Sequence, residues 1–144
     1  MSHSALLLLL LLGGAATALQ PSVNGSLAQK VGVLESAFLS FAVGAAVLLP
    51  LALTRGQGSL THLGKTSWWE WLGGPLGAVY VLALIVAVPR LGTTVGFSMI
   101  IAAQLATGLF LDATDFCGFG AHAVTLPRLV GVALVFFGAW LVRH

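Results

Sequence analysis

Charge is the scarcest property of this sequence. Its 144 residues include six Lys/Arg and four Asp/Glu, 7% of the chain, while 58% are hydrophobic. A soluble domain carries about a quarter charged residues, so this chain cannot cover a water-facing surface. Cysteine is nearly absent as well. Cys117 stands alone, which excludes an intramolecular disulfide and any multi-cysteine metal site and leaves a packing role. The four His, at positions 3, 62, 122 and 144, form no HExxH and no ligand spacing. No nucleophile motif links Ser, Asp and His, and no Gly-rich phosphate loop precedes a lysine. An enzyme is not expected, nor a cofactor or a bound metal. A net charge of +2 is too thin for a nucleic-acid-binding face.

What the sequence does have is long apolar runs, and its charges fall between them. The expected fold is an all-α integral membrane protein of five transmembrane helices, forming one transmembrane domain over 1–144. The helices are read at about 4–30, 33–54, 71–89, 91–111 and 126–142. The opening LLLLLLLGGAATAL has the length of a signal-peptide core, with Ala16-Thr17-Ala18 as a small-x-small site. No Lys or Arg precedes it, so it is read as a retained first span running through Pro21 to Lys30. The alternative ends that helix at Gln20. Trp68, Trp69 and Trp71 cluster before the third span, as suits a membrane–water boundary. Gly73-x-x-x-Gly77 and Gly92-x-x-x-Gly96, and Gly13 and Gly14 with Ala18, supply close-packing surfaces.

Five spans divide the cations evenly. Arg55, Lys65 and Arg128 share one side, and Lys30, Arg90 and Arg143 the other. Orientation normally follows an excess of Lys/Arg in cytoplasmic loops, and this chain has none. One reading is that a single charge near the first helix decides. The other is dual topology: two antiparallel copies would form a ten-helix body with the inverted symmetry that lets transporters expose one site alternately to each side.

Polar residues at membrane depth are costly unless they face a cavity or another helix. Thr17, Gln20 and Asn24 form one stripe on the first helix. Their amides can bind a polar solute or bond to a neighbouring helix. On the fourth helix Thr94, Ser98, Gln104 and Gly108 share a sector of about 120°. Tyr80 lies near mid-depth in the third. The expected substrate-binding set is therefore Gln20, Asn24, Tyr80, Ser98 and Gln104. Glu35 is the one acid placed to enter the bilayer, where it could trade its proton for a cationic solute. The competing role for Glu35 is to favour the N-terminus of its helix. Asp112 and Asp115 are expected to face water at the end of the fourth span.

The ordered motifs LQPSVNGSLA, SFAVG, GGPLGAVYV, P-x-LG, QL, LD and R-x-x-G resemble the YdcZ-type family of the drug/metabolite transporter (DMT) superfamily. That family is related to EamA and small multidrug resistance proteins, and the resemblance covers almost the whole chain. It implies a five-helix bundle, multi-pass in the bacterial inner membrane, that works as a transporter or exporter. The small multidrug proteins carry an essential acid after a GGA-like start. Here Gly13-Gly14-Ala15 is followed by Leu19 and Gln20 at that depth, and Ala103 replaces the usual Gly before Gln104-Leu105. The expected function is a small secondary transporter of a small organic solute, acting by alternating access as a homodimer or as a heterodimer with a paralogous chain. The alternative is a non-transporting membrane partner subunit that packs with another transporter chain.

Overall fold

The computed structural model describes residues 2–58, 60–114 and 122–144, with the side chains of residues 60 and 61 left aside. The expectations for Asp115 and Cys117 lie outside the described residues. Among those residues are five helices long and apolar enough to cross a membrane. They are α1 (His3–Val31), α2 (Val33–Arg55), α3 (Gly73–Leu91), α4 (Thr93–Thr114) and α5 (Leu126–Arg143). The protein is an all-α, five-span membrane protein.

Each helix end follows from local chemistry. The Ala5 N–H donates to Ser2 Oγ at 3.3 Å and opens α1. The helix does not stop at Gln20. It passes through Pro21, which is buried, and runs for 29 residues. At 1.5 Å per residue that is about 43 Å, longer than a hydrocarbon core of about 30 Å. A single residue, Gly32, joins α1 to α2, with φ 103° and ψ 159°. The start of α3 falls at Gly73, two residues later than the sequence suggests. Before it, Trp68–Leu72 winds as a tighter 3-10 turn, pinned by the Trp71 indole N–H donating to Thr66 Oγ1 at 2.9 Å and by the Ser67 N–H donating to the Glu70 carboxylate at 2.5 Å. Gly92, at φ 86°, separates α3 from α4. Asp112 does not end α4, which continues to Thr114, whose hydroxyl bonds the Phe110 carbonyl at 2.9 Å. At 18 residues, about 27 Å, α5 is barely a span. Arg128 and Arg143 at its ends can extend it by snorkelling.

The chain forms two compact units, Met1–Arg90 and Leu91–His144. In the first, α1 and α2 form an antiparallel hairpin. α3 adds its apolar side: Val81 and Ile85 pack with Ala37 of α2 and Ala28 of α1. Phe41 lies over Gly77, where a Cβ would meet its ring at 3.4 Å, and Pro89 sits against Gly25. In the second unit α4 packs on α5. Little else is covered. Leu6 to Leu12 are between 45% and 72% exposed, and nothing lies within 4 Å of a Cβ built on Gly13 or Gly14. Surface this apolar faces lipid or another chain.

Candidate functional site

The polar centre of the first unit lies between α1 and α2. Asn24 is 5% exposed and its amide nitrogen donates to Ser40 Oγ at 3.2 Å. Ser36, fully buried, donates its hydroxyl to the Asn24 carbonyl at 2.7 Å. These bonds tie the two helices four residues apart along α2, each worth about 0.6 kcal/mol in a membrane. Asn24 is thus engaged in holding the hairpin closed. One turn earlier, near the middle of α1, Gln20 is half-buried and has no hydrogen-bond partner among the described residues. It lines two grooves along the α1–α2 seam. One, of about 340 Å³, continues over Ser40, Phe41 and Gly44. The other, of about 440 Å³, includes Asn24, Ser40 and Val43. Two apolar grooves meeting at one unspent amide can take a solute with a polar head and an apolar body.

Tyr80 is half-buried and packs on the Ala37–Val81–Ile85 cluster; it lines neither Gln20 groove. Glu35 lies in the first turn of α2, exposed, with its carboxylate folded onto Gly32 where a side chain would begin. An acid in the first turn complements the helix dipole. The placement is at a helix end, away from the Gln20 grooves.

The second unit has a groove of its own. Gln104, at the middle of α4, lines about 350 Å³ with Gly108 and Gly131. At its mouth Arg128 Nη1 bonds Asp112 Oδ2 at 3.2 Å and reaches the Ala123 carbonyl at 3.4 Å. Gln104 has no partner among the described residues. Ser98 lies outside this groove, its hydroxyl donating to the Val95 carbonyl of its own helix at 2.9 Å. Both members of the Asp112–Arg128 pair are nearly half exposed, at 43% and 47%. Exposed pairs contribute little, so Asp112→Asn should cost at most about 1 kcal/mol in chemical unfolding. The loss should shrink as salt is raised. A larger, salt-insensitive loss would mean that the pair is buried in the membrane.

Sequence reasoning missed Ser36 and Ser40. Their spacing of four puts them on one face of α2, and that stripe was the available signal. It placed the break between the first two helices at residues 31–32 but did not anticipate the conformation of Gly32.

With these grooves in place, comparison with known proteins assigns the chain. Residues 5–141 match the family described as "Putative inner membrane exporter, YdcZ". The chain belongs to this family. It is a multi-pass inner-membrane protein, and the family's description is that of an exporter, not of an enzyme. Among similar proteins is the "Inner membrane protein YdcZ" of Escherichia coli (strain K12), 33% identical over 86 residues. That alignment covers 57% of this chain and 54% of the relative, so it spans about half the length of the curated protein. No solved structure matches the chain.

Proposed function

We propose that this chain is a small secondary transporter that exports a small organic solute by alternating access and works as a dimer. The observation that carries this reading is the Gln20 amide, half-buried near mid-span, without a partner, between two grooves. An unpaired amide at that depth is costly unless something passes that bonds it. Gln104 supplies a second unpaired amide on α4, exposed where Gln20 is half-buried, while Asn24 holds the wall of the first groove. Tyr80 on α3 and Ser98 on α4 lie outside these grooves and take no part in this reading. The even division of Lys and Arg supports an antiparallel pairing of two copies. Coupling leans on Glu35 alone.

The test is flux. The purified chain in liposomes should move solute found by a thermal-shift screen. Flux only after a second, paralogous chain is added would establish the partner-subunit reading instead. If Glu35 couples protons, Glu35→Gln should abolish uptake driven by a pH gradient and leave insertion intact. Unchanged uptake would remove proton coupling and keep the transporter.

A further inference from the structure

A third groove in the first unit has a different chemistry. About 220 Å³ lies between α1 and α3, lined by Gly25, Ala28, Val33, Ile85, Val86 and Pro89, with Gln29 and Arg90 also on its wall. Its apolar floor runs along the helices. Its polar groups are confined to the helix ends, where a bilayer's headgroups lie. Arg90 sits in the last turn of α3, and Lys30 follows Gln29 in the last turn of α1. Neither cation has an ion-pair partner among the described residues, in contrast to Arg128 on Asp112. The nearby acid, Glu35, is turned onto Gly32 and lines no part of the groove.

We infer that this groove holds an anionic phospholipid, its phosphate on the Arg90 guanidinium and the Gln29 amide and an acyl chain over Ile85 and Val86. The match is one of shape and charge together. A guanidinium presents a planar fork suited to phosphate, and basic pockets between transmembrane helices hold acidic headgroups. Val86, 42% exposed, joins the groove floor to the lipid-facing surface. A solute arriving from water would meet no polar group beyond the mouth, whereas a lipid arrives sideways with its chain already in hydrocarbon. Choosing an anionic over a zwitterionic lipid follows from the two unneutralised cations. A choline headgroup would set a third cation beside them.

Native mass spectrometry of the full chain, released from mixed phosphatidylglycerol and phosphatidylcholine, tests this. One phosphatidylglycerol should be retained in roughly tenfold preference over phosphatidylcholine. Arg90→Gln should erase the preference, Arg90→Lys restore it in part, and Arg143→Gln, a cation outside the groove, leave it unchanged. Val86→Trp fills the floor while keeping both cations, and should also lower retention; it serves if Arg90→Gln fails to fold. Equal retention of the two lipids, or full retention in both Arg90→Gln and Val86→Trp, overturns the assignment. So does displacement of the lipid by millimolar inorganic phosphate, which would mark a free-phosphate site.

Discussion

Gly32→Val should lower the stability of the detergent-solubilised protein by roughly 3 kcal/mol or more. Three features of the α1–α2 joint combine to give so large an effect. The backbone at Gly32, φ 103° and ψ 159°, lies in a region open almost only to glycine. A Cβ there would meet the Glu35 carboxylate, the far end of an exposed side chain, which would have to turn away and give up its place over the joint. The joint is also one residue long, so no neighbouring loop residue can absorb the strain. The Gly32 N–H donates to the Ala28 carbonyl at 2.9 Å, and its carbonyl accepts from the Ser36 N–H at 3.0 Å. Both helices are therefore locked to the residue being changed. Two comparisons separate the causes. Gly64→Val, in open space within a 3-10 segment, should cost far less. Gly92→Ala, at φ 86° with nothing nearby, should show the backbone part alone, about 1–2 kcal/mol. Replacing Glu35 with Ala in the Gly32→Val background should recover the part due to collision. Unfolding titrations that place Gly32→Val level with Gly64→Val would sink the argument.

That joint also shows where sequence reading reached its limit. The spans were legible because charge is so rare: Lys30, Arg55, Arg90, Arg128 and Arg143 fall at helix ends, and lipid forbids them elsewhere. Helix pairing was not legible, because in a membrane the lipid-facing and packed sides of a helix are equally apolar. Nothing in α1 says that Gln20 and Asn24 face α2. That orientation depends on the conformation of Gly32, whose positive φ is invisible in the sequence. The role of Asn24 hung on the same fact. Its partners Ser36 and Ser40 could be seen as a stripe, but only the hairpin register brings them opposite the amide. The late start of α3 was hidden for a different reason. Trp71 and Leu72 read as the first residues of the span by composition, whereas side-chain bonds to Thr66 and Ser67 wind Trp68 to Leu72 more tightly.

Gln20→Leu should leave the fold as stable as wild type, or slightly more so, and reduce solute flux at least tenfold. The pairing of outcomes is what makes the prediction specific. Gln20 contributes no hydrogen bond among the described residues, so the hairpin loses none when its amide is removed. Replacing an unpaired polar group at membrane depth by a similar-sized apolar one is neutral or favourable. A solute that bonds the amide would lose one or two hydrogen bonds in the same step, about 1–3 kcal/mol, and its own polar group would be stranded between apolar walls. Asn24→Ala should behave in the opposite way. It removes the amide bond to Ser40 and opens a gap at a buried seam, so stability should fall by about 1–2 kcal/mol. Flux per folded molecule should nevertheless remain within a few-fold. Gln20→Asn keeps the amide but withdraws it by one methylene, and should give intermediate flux with unchanged stability. Wild-type flux in Gln20→Leu would remove the α1–α2 seam from the transport path. A fall in stability matching the fall in flux would make Gln20 a second inter-helix tie, like Asn24.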